Sequence, residues 1–286
     1  LQELALTPAQ KAELARLLAD TVKPENRRYL YDHYADNCTT RVRDVIDVVT
    51  AGQLRAQTAL PGTRTLRQLT REKTAVSPGM AFLIDLILNA STDQPLTLWQ
   101  EAFLPEEFEE QLARVTVTDE TGTHPLVSGT STYWKSTRPS PPPRPLPTWV
   151  FAAVGGVVGA FLLSLRKKRV AFGLVVACLG VVGGAVGSAL FAMAMFTDHH
   201  VTWGNQNLLL VSPLTLLLVP AGVAHAIGKR GAGALRVVSV VVVVAALAAV
   251  FARVVGAQDT SWELLVLVPV WLAVAVGARP AQRAPR

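Results

Sequence analysis

The sequence predicts a two-part molecule: a mixed α and β extracytoplasmic domain over residues 1–136 and a helical transmembrane domain of about five spans over 148–286. Three observations carry that prediction. Half of the 286 residues are hydrophobic and only 17% are charged, which excludes a disordered chain. The two cysteines are too few for a disulfide scaffold. The charge is also unevenly placed. Before Pro147, 16 Lys and Arg residues stand against 18 Asp and Glu, and after it 11 stand against 3. The formal net charge of +6 therefore belongs to the apolar half. An evenly spread basic surplus would point to nucleic acid; this one does not, and no nucleic-acid partner is expected.

Local signals order the outer half. Thr7-Pro8 reads as a helix N-cap followed by proline at the first helical position, with Leu14, Leu17 and Leu18 as a stripe expected to be buried. Tyr29-Leu30-Tyr31 reads as a short extended stretch. Asp36-Asn37 then cap a helix that carries Val42, Val45, Ile46 and Val49 on one face and ends at Gly52. A further helix is expected over 80–89, and a short helical pair broken at Leu104-Pro105. Residues 114–118 and 125–127 flank a loop beginning DETGT and read as a hairpin. Residues 137–147 hold six prolines in eleven positions, a semi-rigid linker ahead of the membrane.

The spans follow from uncharged length. Residues 147–165 carry no charge over 19 positions, close to what a hydrocarbon core of about 30 Å needs at about 1.5 Å per residue. Further spans are expected at 170–196, 208–227 and 237–255, where Arg253 can snorkel outward, and a short fifth at 262–277. Basic residues set the orientation. Arg166, Lys167, Lys168 and Arg169 fill one loop; Lys229, Arg230 and Arg236 another; Arg279, Arg283 and Arg286 the tail. The two opposite loops, 197–207 and 252–263, hold only Arg253. The tail is thus expected in the cytoplasm and residues 1–146 outside. An outer N-terminal domain needs a signal peptide or an earlier span, and the chain begins with Leu1, so the true N-terminus is expected upstream.

The candidate chemistry centres on YADNCTTR. Cys38 lies outside and Cys178 within the second span, so the two are not expected to bond. Cys38 falls at the predicted first turn of a helix, where free backbone N–H groups and the helix dipole favour negative charge and can hold an oxyanion. Two readings are open: a small buried core residue, or a nucleophile. Its neighbours Asp36, Asn37, Thr39 and Arg41 are too polar for an ordinary core position, which favours the second. A cysteine nucleophile needs a base, usually His. His33 reads as a surface residue, His124 as part of a hairpin turn, and His225 as an intramembrane polar group. The loop TDHHVTWGNQN gathers His199, His200, Trp203, Asn205 and Asn207 at the outer membrane surface. It reads either as an interfacial turn with an aromatic anchor or as a lipid-headgroup or substrate site. No metal-ligand spacing is present, and no cofactor is expected.

The segment YLYDHYADNCTTRVRDVID resembles the Tyr-rich Asn-Cys-x-Thr-Arg-x-Arg-Asp signature of the Lnb-type N-terminal periplasmic domain family. STDQPLTLWQEAFLP resembles that family's Asp-x-Pro-Leu-Thr-x-Trp stretch, and TDHHVTWGNQNLLLVSPL a motif of its membrane part, with Ser212-Pro213 where Asn-Pro is expected. The resemblance implies a permuted papain-like, NlpC/P60-type thiol fold. It also implies a bacterial lipoprotein N-acyltransferase of the inner membrane, with Cys38 as nucleophile and Asp36, Asn37 and Arg41 as supports. A phospholipid would be the acyl donor, and a diacylated lipoprotein the acceptor. The catalytic His of such folds precedes the Cys on a strand in a Gly-His motif that is absent here, so the base is expected upstream of Leu1 or in the outer loop. A membrane-tethered cysteine peptidase or amidase of the cell envelope, and a non-enzymatic membrane partner or chaperone, are the alternatives.

Overall fold

This computed structural model describes residues 1–137, 142, 144–228 and 232–278. They fall into two units, Leu1–Leu69 with Gln94–Ser140, and Thr70–Asp93 with Pro141–Arg286, so the polypeptide passes between units three times. Lys229, Arg230, Arg279, Arg283, Arg286 and part of the proline-rich linker lie outside the described residues.

In the first unit β1 (Gln2–Leu4) leads to α1 (Pro8–Thr21). Thr7 and Gln10 close α1 with a reciprocal capping box: Gln10 N–H donates to Thr7 Oγ1, and Thr7 N–H to Gln10 Oε1. Then come α2 (Cys38–Val49), α3 (Gln53–Thr58), β2 (Pro61–Thr65) and the first turn of α4 (Leu66–Lys73). After an excursion through α5 (Pro78–Ile87) in the second unit, the chain returns as β3 (Pro95–Thr97), α6 (Leu98–Glu101) and α7 (Pro105–Leu112). It finishes with β4 (Thr116–Asp119), β5 (Gly122–Pro125) and β6 (Val127–Thr130). The strands pair as three two-stranded antiparallel sheets, β1 with β6, β2 with β3 and β4 with β5. Ile46, Leu54, Phe108, Leu112, Val117 and Leu126 form the core between helices and strands.

Two local expectations are corrected. The leucine stripe of α1 is not buried: α1 packs along one edge of α2. Leu14, Leu17 and Leu18 instead line an open apolar groove of about 890 Å³ with Val42, Val45 and Val48. Residues 29–31 form no strand and are exposed; the chain bridges only at Asp32 and Asp36.

The second unit holds α8 (Thr148–Leu165), α9 (Arg169–Phe196), α10 (Leu218–Ile227), α11 (Ala232–Val254) and α12 (Ser261–Gly277). Among the described residues, four stretches are long and apolar enough to cross a membrane: Thr148–Leu165, Arg169–Phe196, His200–Ile227 and Gly233–Val254. The third is not α-helical throughout. It opens on 3-10 turns at His200–Thr202, Gln206–Leu209 and Pro213–Leu217. The fifth apolar segment, α12, has 17 residues and contains Pro269, about 25 Å at helical rise.

The segment Thr70–Asp93 packs within this unit. Ala81 and Phe82 meet Phe151 and Trp262, and Leu86 meets Leu190 and Val211. Asn89 Nδ2 donates to the carbonyls of His200 and Trp203, and Gln258 Nε2 to that of Leu88.

Glycines set the spacing of the spans. A Cβ on Gly173 would lie 2.5 Å from the Gly222 carbonyl oxygen, and one on Gly187 2.5 Å from the backbone of Ser212, whereas Gly156 has open space. Gly187→Ala is therefore expected to destabilise the unit by about 1–3 kcal/mol through overpacking. Gly156→Ala should instead stabilise it by up to about 1 kcal/mol through helix propensity. Thermal unfolding of both variants in detergent checks the opposite signs.

Candidate active site

The approach to Cys38 is a turn built by carboxylates. Asp32 Oδ1 accepts from the N–H groups of Tyr34 and Ala35, both at 2.8 Å, an Asx turn. The backbones of Asp32 and Asp36 exchange two bonds of 3.1 Å. Asn37 follows, 5% exposed, with extended backbone (φ −114, ψ −178). Its Oδ1 accepts from Thr39 N at 2.8 Å and Thr40 N at 2.9 Å, and its Nδ2 donates to the carbonyls of His33 (2.8 Å) and Phe103 (3.0 Å). All of its hydrogen-bonding capacity serves structure, and that fixes the start of α2.

Cys38 is the first residue of α2 and its thiol is exposed, so the buried-core reading does not hold. The cap occupies the N–H groups of Thr39 and Thr40. Of the first-turn donors expected for an oxyanion, the Cys38 N–H is the one left without a partner among the described residues. Arg41 grips Asp36 through both ends of its guanidinium, Nε to Oδ1 at 2.6 Å and Nη2 to Oδ2 at 2.8 Å. Its Cζ stands 3.9 Å from the centroid of the Tyr29 ring, a stacked cation. Asp36, Asn37 and Arg41 thus surround Cys38 as scaffold.

Cys38 opens into a groove of about 530 Å³ shared with Thr39, Val42 and Ile46 of α2, Leu4 of β1, and Pro105, Phe108 and Leu112 of α7. Its lining is mostly apolar and its volume falls in the usual range for small-molecule sites, roughly 300–1,000 Å³. Cys38, Val42 and Ile46 are spaced by four, so one face of α2 carries the thiol at its head and an apolar track behind it.

Asn37→Ala is expected to cost about 2–3 kcal/mol, combining a lost N-cap with a buried Phe103 carbonyl left without its donor. Asn37→Asp, which keeps the cap acceptor, should fall between the variant and the native chain. Urea unfolding of the three chains orders them.

Among the described residues no histidine is hydrogen-bonded to Cys38. His33 is exposed, with its ring edge-on to Tyr34 (4.8 Å) and near Phe103 (6.0 Å). His124 uses both ring nitrogens, Nδ1 to the Pro125 carbonyl and Nε2 to Asp119 Oδ2, each at 3.1 Å. Those two bonds, the backbone one foremost, raise its pKa. His225 sits in α10 against Phe172.

The outer-loop candidates belong to the second unit and divide into two groups. His199, His200 and Trp203 are exposed. His199 Nδ1 bonds Thr197 Oγ1 at 2.9 Å, His200 stands edge-on to Trp203 at 4.3 Å, and Trp203 Nε1 donates to the Thr197 carbonyl. Asn205 and Asn207 are buried, and both donate from Nδ2 to the Leu86 carbonyl, at 3.0 and 2.9 Å. Among the described residues no three His, Cys, Asp or Glu side chains gather as a metal site requires. Cys178 lies on the exposed side of α9, free of any bond to Cys38.

Sequence reasoning did not find Tyr29 beneath Arg41, the Phe103 carbonyl on Asn37, or Phe108 and Leu112 beside the thiol. All but Tyr29 come from α7 or its approach, more than sixty residues on. The four-residue spacing of Cys38, Val42 and Ile46 was the one local signal of the groove.

Residues 1–72 match the family model described as the Lnb N-terminal periplasmic domain, and residues 143–278 that of the Lnb transmembrane domain. Cys38 with its scaffold falls in the first match, and the outer loop in the second. No curated protein and no solved structure matches the chain.

Proposed function

We propose a function from the premise that this chain belongs to the Lnb family, a membrane protein with a periplasmic N-terminal domain and a helical transmembrane domain. It is a membrane-bound thiol acyltransferase that carries an acyl chain from a phospholipid, through a Cys38 thioester, to the N-terminal amine of a diacylated lipoprotein. The observation that carries this reading is the exposed Cys38 at the head of α2, opening onto an apolar groove. An acyl chain suits that lining, since each buried methylene contributes about 0.8 kcal/mol; a polar cell-wall peptide does not.

In the first step the Cys38 thiolate attacks the ester carbonyl carbon. The C–S bond forms, the ester C–O bond breaks, and the lysophospholipid leaves as its alcohol after taking a proton. In the second the free amine attacks the thioester. The C–N bond forms, the C–S bond breaks, the amine loses a proton and the thiol is restored. The Cys38 N–H is a candidate donor to the oxyanion of both steps. The thiol proton passes to a base that is not hydrogen-bonded to Cys38 in this structure. His199, His200 and Trp203 are the exposed groups proposed to meet headgroups or the incoming amine, with Asn205 and Asn207 holding their loop. A cysteine at the N-terminus of a helix beside antiparallel strands supports the papain-like part of the proposal. The basic run Arg166–Arg169 supports an inner-membrane orientation with the C-terminus in the cytoplasm.

The test supplies the full chain, in membranes, with a phospholipid bearing an alkyne-tagged acyl chain. The expected result is a hydroxylamine-labile tag on the Cys38 peptide that chases onto the lipoprotein amine. A tagged lipoprotein formed without any Cys38 adduct would overturn the thioester route.

A further inference from the structure

Between the two family matches lies an apolar helix too short to span a membrane. α5 has ten residues, PGMAFLIDLI, about 15 Å against a hydrocarbon core of about 30 Å. One face is docked on the spans. Phe82 stacks on Phe151 with ring centroids 6.0 Å apart and planes at 21°, and Leu86 packs with Leu190 and Val211.

These partners fix the depth of α5. Phe151 lies three residues inside the start of α8 and Leu190 six residues inside the end of α9. At helical rise these positions are about 5 and 9 Å below the span ends. Interfacial helices sit about 5–10 Å into the boundary between headgroups and acyl chains. The opposite face carries Met80 and Leu83, 54% and 50% exposed, and Val76 in the turn just ahead of the helix is 63% exposed. A spacing of three places Met80 and Leu83 on one stripe. At the same end of the spans Trp149 and Phe196 are also exposed, as aromatic residues are where a membrane meets water. The stripe therefore continues the lipid-facing surface of α8 and α9.

We propose that α5 is an interfacial membrane helix, with Met80 and Leu83, and Val76 in the turn ahead of them, embedded among phospholipid acyl chains at the end of the spans that carries loops 197–212 and 255–260. The membrane domain then begins in the segment Thr70–Asp93, far ahead of α8. This inference is independent of the acyl-transfer reading.

The test uses the full chain with Cys38 and Cys178 replaced by Ser, reconstituted in phosphatidylethanolamine–phosphatidylglycerol nanodiscs. Single spin labels are placed at Met80→Cys and Leu83→Cys, with Val157→Cys on α8 and Tyr133→Cys in the first unit as references. Labels at 80 and 83 are expected to collide with oxygen severalfold more than with a polar nickel chelate, as at 157 and opposite to 133. Nickel accessibility like that at 133 would overturn the proposal. So would exclusion of both reagents, which would show a protein partner or second copy on this face. A second measurement needs no substitution: a phospholipid with a diazirine in its acyl chain should crosslink the native chain within residues 76–87. Adducts confined to α8, α9 and α11 would overturn the proposal as well.

Discussion

Cys38→Ala is expected to eliminate N-acylated lipoprotein while leaving the fold as stable as before. The thiol is exposed, and Cys38 makes no side-chain hydrogen bond among the described residues. Alanine is a strong helix former at such a position. Substitutions away from packed or bonded features shift stability by no more than about 0.5 kcal/mol. Deleting a nucleophile, by contrast, costs on the order of a millionfold in rate. The two readouts therefore separate cleanly. Mass spectrometry of lipoprotein from cells carrying the full-length variant should show only the diacylated form, while its unfolding midpoint stays at the native value. Cys38→Ser should behave alike, because a hydroxyl without a bonded base is a weaker nucleophile than a thiol. Asn37→Ala provides the contrast, losing stability and activity together since it holds the turn on which Cys38 sits. Undiminished triacylated product from Cys38→Ala would remove the thiol from the reaction and leave the non-enzymatic alternative standing.

What the sequence could reveal of this site divides along the range of the interactions. Thr7, Asn37 and Leu104-Pro105 start their helices through bonds to residues two to four positions away, and those helices are where local reasoning put them. Uncharged length located the apolar helices for the same reason, because a bilayer imposes a one-dimensional rule. The leucine stripe of α1 failed because periodicity tells which residues share a face but not what covers that face. The sequence groups Asn205 and Asn207 with the histidines in one polar loop at the outer membrane surface, yet both donate to the Leu86 carbonyl, 119 and 121 residues earlier. No local pattern distinguishes a carboxamide that meets solvent from one that satisfies a distant backbone. Family resemblance pointed to Cys38, but the groove depends on α7, which only the fold brings beside the thiol.

The segment 70–93 packs within the second unit, and one cation ties it there. Arg71 donates from Nε and Nη2 to the two oxygens of Asp85, at 2.9 and 2.7 Å, and from Nη1 to Asp259 Oδ2 at 2.8 Å. Its Cζ lies 4.4 Å from the ring centroid of Trp262. The Asp85 side chain is 1% exposed and that of Arg71 11%, so this ion pair is screened little by water. Removing one partner of a buried pair costs about 3–5 kcal/mol, because the other charge loses its compensation. Arg71→Ala is therefore expected to destabilise the second unit by that amount at pH 7. Arg71→Lys should lose less, keeping the charge without the planar fork.

Acid supplies an independent check. Burial pushes the Asp259 carboxyl up, but the Arg71 charge and hydrogen bonds from Ser261 outweigh it and hold the group at about 2. A carboxylate depressed in the folded state adds stability above its unfolded pKa of about 3.9, and that stability is lost as pH falls toward the folded value. The native unfolding midpoint should accordingly drop between about pH 5 and pH 2. In Arg71→Ala the main cause of the depression is gone, so the acid slope should flatten as the midpoint at neutral pH falls. A variant with the native midpoint and the native acid slope would mean that the apolar contacts and backbone hydrogen bonds of residues 81–89 suffice to dock α5, and that the ion pair is incidental to the placement of this segment.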